Sequence, residues 1–334
     1  MKKIALSVAA LALSAAGAFA ADLPSRKGPP VLPPPPPPPP MWTGFYAGLN
    51  AGYGFGTNSN TQSAAIGFEP YANYIVSSEL YTAVSTLGAG GALSGVGANS
   101  NQNGFIGGGQ AGYNYQWGQS FVIGIEADIQ GAGIRGTSRT VGVGADSVTD
   151  FLPDGSMRST AAGGTNINAG VDWLGTVRGR LGYLFTPTML VYATGGLTYG
   201  GVYANVNNYA VATSGQFYGD TLTTYGAWTH TFVGGGDKSQ TLVGWNVGGG
   251  LEWMFMPNWS LKAEAIYWNM GNMNVPTVAF AAAPKSYEAP FSWVDLSPAA
   301  AIGATRVNYQ GVIARAGVNY HFNWFAPAPV VASY

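Results

Sequence analysis

The sequence predicts an all-β fold: a transmembrane, antiparallel, up-and-down β-barrel of eight strands with short periplasmic turns and four long extracellular loops. Three observations carry this. The N-terminus has the anatomy of an export signal. Apolar residues recur with period two in segments joined by alternately short and long connections. Charged residues make up only 9% of the 334-residue chain, against about 25% in soluble globular proteins. Past the signal, no uninterrupted apolar stretch reaches the roughly 20 residues of a membrane helix. A chain of this kind that spans a membrane does so as a closed barrel, because only helices and barrels satisfy every backbone group in lipid.

In order along the chain, Lys2 and Lys3 give a short positive start, Ile4 to Ala15 is almost wholly apolar, and Ala18-Phe19-Ala20 is a small-x-small cleavage pattern before Ala21. That order reads as a signal peptide over 1–20, cleaved after Ala20, and sends the protein to the cell outer membrane by way of the periplasm. Residues 21–41 form a Pro-rich periplasmic linker, since Pro33 to Pro40 cannot pair in a sheet and favours an extended polyproline rod. We expect the barrel over 42–322 and a C-terminal extension over 323–334.

Composition limits function. Losing two of 14 basic residues with the signal leaves 12 against 15 acidic ones, a net −3, which gives no basis for nucleic-acid binding. With no cysteine there are no disulfides, thiolate metal sites or covalent haem. The 50 glycines come with 10 Trp, 19 Tyr and 15 Phe, an aromatic content that a disordered Gly-rich chain lacks.

Strands are expected over 43–56, 103–117, 120–131, 171–185, 189–201, 241–255, 259–270 and 307–322, from which parity is apolar. Gly118-Gln119, Thr186-Pro187-Thr188 and Met256-Pro257-Asn258 are the short turns. The long loops are 57–102, 132–170, 202–240 and 271–306. This alternation is what an outer-membrane barrel requires, and eight strands put both ends in the periplasm. On the third strand Phe121, Ile123, Ile125, Ala127 and Ile129 oppose Glu126, Asp128 and Gln130. On the fourth, Trp173, Val177, Leu181 and Tyr183 oppose Asp172, Thr176, Arg178 and Arg180. The sixth, seventh and eighth place Glu252, then Lys262 and Glu264, then Arg315 on the polar side. No charge falls on the apolar faces, where a Lys or Arg at the bilayer midplane costs about 2–4 kcal/mol. Trp42, Tyr53, Phe55, Tyr115, Trp117, Phe185, Tyr199, Trp253, Phe255, Trp259 and Phe322 lie near strand ends, as interfacial girdles require.

Other motifs fail on mechanism. Gly107, Gly109 and Gly112 match a dinucleotide fingerprint, but Tyr113-Asn114-Tyr115-Gln116 continues a strand where a helix is needed. Asp146, Asp150 and Asp154 could face a cation, yet Leu152 stands where a Ca²⁺ loop starting at Asp150 needs its third-position ligand. The two histidines, His230 and His321, are expected on opposite sides of the membrane. A single loop histidine is thin support for haem capture. No cofactor, metal site or catalytic residue is expected.

The chain resembles the outer-membrane immunogenic protein family of alphaproteobacteria, surface-antigen barrels within the wider OmpA-like group of porin-family proteins. The resemblance rests on Trp42-Thr43-Gly44-Phe45-Tyr46-Ala47-Gly48, Gly107-Gly108-Gly109-Gln110-Ala111-Gly112-Tyr113-Asn114 and Gly124-Ile125-Glu126-Ala127-Asp128-Ile129. It continues in Arg178-Gly179-Arg180-Leu181-Gly182-Tyr183, Tyr192-Ala193-Thr194-Gly195-Gly196-Leu197, Lys262-Ala263-Glu264 and Ala316-Gly317-Val318-Asn319-Tyr320-His321-Phe322. It implies outer-membrane lipid, lipopolysaccharide and the barrel-assembly machinery as partners. Such barrels end on an aromatic residue read during assembly. Here Asn323 to Tyr334 follow, so Phe322 would serve as that signal.

An eight-stranded barrel has an interior that side chains just fill. Glu126, Asp128, Asp172, Arg178, Arg180, Glu252, Lys262, Glu264 and Arg315 are therefore expected to pair as one lumenal network that plugs the barrel and fixes strand register. The alternative uses the same residues as a charged constriction, in a porin-like passive channel for ions or small solutes. Lumenal Gly108, Gly112, Gly248 and Gly250 would supply its space. The expected role is structural and surface-exposed, with the loops 57–102, 132–170, 202–240 and 271–306 as candidate contacts for an extracellular ligand.

Overall fold

The computed structural model describes residues 41–57, 61–68, 89–97, 102–152, 155–218, 221–281 and 300–322. The expected signal, nearly all of the linker and the C-terminal extension lie outside them. The strands are β1 (Gly44–Gly56), β2 (Thr61–Phe68), β3 (Gly95–Gly97), β4 (Asn103–Trp117), β5 (Phe121–Leu152), β6 (Gly155–Thr186), β7 (Met189–Tyr218), β8 (Thr221–Met256), β9 (Trp259–Ala281) and β10 (Ala300–Phe322). Eight close a ring, β1-β4-β5-β6-β7-β8-β9-β10, with β10 paired back to β1 from Phe45↔Phe322 to Gly56↔Gly311. Every pairing in the ring is antiparallel. Among the described residues no helix is long and apolar enough to cross a membrane.

Alternation makes the membrane zone. Ile123, Ile125, Ile129, Leu181, Leu197, Val247 and Leu251 point outward and are exposed, while the residues between them point into the lumen. Cross-strand aromatic pairs bound this zone on both sides. Phe121–Tyr183 and Trp259–Tyr320 lie at the turn end, and Tyr53–Phe105, Trp173–Tyr199 and Trp245–Tyr267 at the other. Phe45 and Phe55 stand ten residues apart on β1 and are both half exposed. At about 3.3 Å per residue and a tilt near 40°, that separation spans about 25 Å, the height of a barrel's apolar band. Gly118 closes the β4–β5 turn with φ +65°, in the left-handed region that glycine enters without a Cβ penalty.

Three expectations need correction. Much of 132–170 and 202–240 is strand, because β5, β6, β7 and β8 run far past the upper aromatic ring. There the outer face meets water, so outward positions turn polar (Thr137, Arg139, Asn166, Asn168, Asn205, Asn207) while inward ones (Ile134, Ile167, Val202, Val206) are apolar, and the parity is reversed from that of the lipid zone. Second, β2 and β3 lie inside the expected loop 57–102. β2 pairs with the upper part of β10 from Thr61↔Val307 to Phe68↔Ala300, and β3 pairs with β2. A Thr61–Ser138 hydroxyl bond of 3.1 Å ties β2 to β5 across the interior. These two short strands occupy the arc that β1 and β4 leave open above Gly56 and Asn103. Third, Trp42 is not in the girdle. It is 1% exposed, inside the periplasmic mouth, where its indole N–H donates to the Pro187 carbonyl at 2.9 Å.

The interior is layered from mouth to tip. Trp42 packs with Val122, Leu184, Leu190, Tyr192 and Met254 at the periplasmic end. The charged side chains come next. Above them is an apolar layer that includes Ile134, Leu174, Trp268, Met270, Tyr309 and Ile313. Hydroxyls follow, with Ser63 bonded to Thr305 at 3.0 Å and Thr165 to Asn208 at 3.0 Å. At the tip a helical turn over 89–93 places Ala89, Ala92 and Leu93 against Ala161, Ala210, Ala212, Phe232, Ala279 and Ala301. Ser94 holds that turn to β2, accepting from the Ala65 N–H at 2.9 Å and donating to its carbonyl.

Candidate functional site: the filled lumen

Strand register brings the charges together. Glu126 stands opposite Arg178, Glu252 opposite Lys262 and Glu264 opposite Arg315, each an unlike pair on neighbouring strands. Asp128 lies one inward step above Glu126, and Arg180 one inward step below Arg178. Their side chains then reach across the lumen. Arg178 binds Glu126, Asp128 at 3.1 Å and Glu264 at 3.0 Å. Lys262 Nζ lies 2.8 Å from Glu126 and 2.9 Å from Glu264. Arg315 bonds Asp128 at 2.7 Å and Glu264 at 2.8 Å. Arg180 pairs with Glu252 and lies with its guanidinium carbon 3.7 Å from the Tyr192 ring centroid.

Four cations thus face four carboxylates, all with side chains no more than 2% exposed. That balance matters because a buried charge without a partner is expensive, whereas a paired and hydrogen-bonded one is tolerated. Neutral groups take the remaining lone pairs. Tyr46 O–H donates to Glu126 at 2.7 Å, Thr176 to Asp128 at 2.7 Å, and the Asn319 amide to Glu252 at 2.8 Å. An amide chain, Asn50 to Gln110 at 3.0 Å and Gln110 to Asn319 at 2.6 Å, closes the β1 side. Tyr46 and Tyr192 lie on β1 and β7, whose inward barrel positions carry no charge to mark the face, and an isolated tyrosine gives no sign of which carboxylate it will meet.

Asp172 is the exception to the expected network. It lies on the outer face, 3.5 Å from Arg135, with both side chains more than half exposed. The pairing of β6 with β7 slips between Val171 and Trp173. This bulge inserts one residue, turning Val171 inward and Asp172 outward.

The expected lumenal glycine space is also occupied. A Cβ on Gly112 would lie 2.5 Å from the Tyr46 ring, and one on Gly250 would lie 2.7 Å from Glu264 Cβ and 2.8 Å from the Tyr192 hydroxyl. The glycines admit neighbouring side chains. At Gly108 and Gly248 the nearest atom is the backbone oxygen of the adjacent strand.

One trio resembles hydrolytic chemistry. Ser260 Oγ is 2.9 Å from His321 Nε2, and Glu252 Oε1 is 3.4 Å from that same nitrogen. A nucleophile relay needs serine and acid on opposite ring nitrogens, and here both meet Nε2. Trp42 packs edge-on against the His321 ring at 5.7 Å. His230 is buried in the upper tube, far along β8 from this trio. Among the described residues no group of three His, Asp or Glu is arranged to hold a metal.

No family model matches the chain. It is 32% identical over 278 residues to the 31 kDa outer-membrane immunogenic proteins of Brucella melitensis and Brucella suis, covering 83% of this chain and 91% of each relative. The chain belongs to the outer-membrane immunogenic protein family. As a family member it is an outer-membrane β-barrel. Solved structures it is similar to include the outer membrane protein OprG of Pseudomonas aeruginosa, with 10% identity, TM-score 0.30 and coverage of 84% of this chain and 96% of that one. Another is Neisserial surface protein A, with 12% identity, TM-score 0.24 and coverage of 84% and 98%.

Proposed function

We propose that this family member is a plugged envelope barrel with a structural and surface-exposed role, without catalysis and without a passive pore. The observation that carries the reading is the stacking inside the barrel. A neutral, interlocked charge network lies directly beneath an apolar layer of Leu174, Trp268, Met270 and Ile313. A hydrated cation crossing that layer would shed water for hydrocarbon, where the Trp268 indole N–H is a donor and offers a cation no ligand. Each cation holds at least two carboxylates or a carboxylate and an aromatic face, so the charges are held on one another; among the described residues of the network, Arg178 Nε, Arg180 Nε and one Nη of Arg315 are the donors left without a protein partner. The same network fixes register, because slipping any of the three unlike pairs by one residue would turn its charges to lipid. Against catalysis stand the shared Nε2 contact of Ser260 and Glu252 and the burial of that trio beneath Trp42.

The test is conductance of the refolded chain, without residues 1–20, in a planar lipid bilayer. The plugged reading expects folded, heat-modifiable protein and no channel steps. Reproducible steps that change with Arg178→Ala or Arg180→Ala would overturn it in favour of the porin-like channel.

A further inference from the structure

Well above the upper aromatic ring, one wall of the tube turns apolar on its water-facing side. Val233 pairs with Phe280, Val278 with Ile302 and Ile302 with Ile66, which joins outward residues of β8, β9, β10 and β2 into one patch. Ile66 is 71% exposed, and Val233, Phe280 and Ile302 are exposed as well. Contiguous apolar surface of this kind in water marks an interaction site. Lower on the same wall, Asp237 on β8 and Arg306 on β10 face outward and are exposed. Arg306 donates from Nε to the neutral Asn272 amide oxygen at 3.0 Å, and among the described residues no carboxylate pairs with it and no cation with Asp237. Within the lipid zone this wall is lined by Gly249, Ala263, Ala265, Ala314, Ala316 and Ala51, which leave a shallow hollow. The opposite wall carries Ile123, Ile125 and Ile129 there.

We propose that this wall, centred on β9, docks a second copy of the chain about a two-fold axis along the membrane normal. Copies in one membrane stand at one depth, so the patch of one is level with the patch of the next. A two-fold axis facing β9 sets β8 of each copy against β10 of the other. Val233 is twelve residues above Trp245 of the upper ring, and Ile302 is twelve above Ala314, the β10 partner of the ring residue Tyr53. The two therefore meet at one height, with Phe280 between them. Asp237 and Arg306 are each eight residues above the same marks, so Asp237 of each copy faces Arg306 of the other, and the symmetry makes that contact twice. The exposed parts of Val233, Phe280, Ile302 and Ile66 come to roughly 400–500 Å² per copy, and the wall in lipid adds to this toward the about 800 Å² per partner of a standard interface. Each zone has its own driving force. In water it is burial of apolar surface; in lipid it is close packing, which small residues permit by letting backbones approach. The inference is independent of whether the lumen conducts.

The chain has no cysteine, so single introduced cysteines report contact. A265C lies at the centre of the proposed face, and I125C lies on β5, directly across the ring from β9. Refolded protein in phospholipid vesicles at low density is oxidised with copper phenanthroline, and A265C is expected to give roughly 10-fold more cross-linked dimer than I125C. The charge contact is tested by reversal at water-facing positions, with the fold checked by heat-modifiable migration. D237R sets like charges opposite each other twice and is expected to weaken the dimer about 10-fold in detergent, measured by sedimentation. D237R/R306D reverses both members and should return the affinity to within about three-fold of the unmodified protein. Equal cross-linking of A265C and I125C would overturn the proposal. So would protein that stays monomeric throughout, which would leave the patch to another occupant. A double variant as weak as D237R would overturn the two-fold arrangement.

Discussion

Replacing Arg178 by Met is the sharpest perturbation of the lumen. The side chain is fully buried and touches Glu126, Asp128 and Glu264. Its loss leaves Arg180, Lys262 and Arg315 facing four carboxylates, a buried net charge of −1. Removing one partner of a buried ion pair costs about 3–5 kcal/mol, mostly as the penalty for the charge left behind. With a urea dependence near 3 kcal/mol per molar, the unfolding midpoint in phospholipid vesicles should fall by about 1–2 M. Two companions make the reasoning refutable. Adding Glu126→Gln to Arg178→Met restores neutrality and should recover part of the loss, although Glu126 also binds Lys262 and Tyr46. Asp172→Asn removes a carboxylate that the sequence places in the same set but that lies outside in an exposed pair, and it should cost under about 1 kcal/mol. If Arg178→Met and Asp172→Asn shift the midpoint equally, the network contributes nothing and the account of the lumen is wrong.

Trp42→Ala empties the periplasmic mouth and removes the bond to Pro187; a loss of about 3–5 kcal/mol should appear in the same urea titration, and an unchanged midpoint would mean the indole merely rests there. Ile125→Arg places a charge on the lipid face of β5, four residues past Phe121 of the lower aromatic ring, and should cost about 2–4 kcal/mol, whereas Thr137→Arg, twelve residues further up the same outward parity, should be near neutral. Folding yields measured by heat-modifiable migration distinguish the two, and equal yields would misplace the membrane boundary.

The sequence by itself determined what lipid enforces. Within about 25 Å of hydrocarbon every outward residue must be apolar, so parity identified the eight spanning segments, the lipid face of Ile123, Ile125 and Leu181, and the inward set around Glu126 and Arg178. The short turns at Gly118, Pro187 and Pro257 are local chemistry and were equally legible. Tertiary structure decided everything in which that rule lapses. Above the membrane the outer face of β5 to β8 meets water and the apolar positions are the inward ones, Ile134, Ile167, Val202 and Val206, so the parity that marks a lipid face is reversed, and Asn166 and Asn205 read as loop although they are strand. The bulge at Val171–Trp173 moves Asp172 to the outside by one inserted residue, and no composition signal marks it. Trp42 suits an interface or a core equally well, and only the closed barrel offers it an enclosed mouth beside His321 and Pro187. The replacement of β1 and β4 by β2 and β3 depends on pairing across more than 230 residues, from Thr61 to Val307, a distance that local sequence patterns do not report.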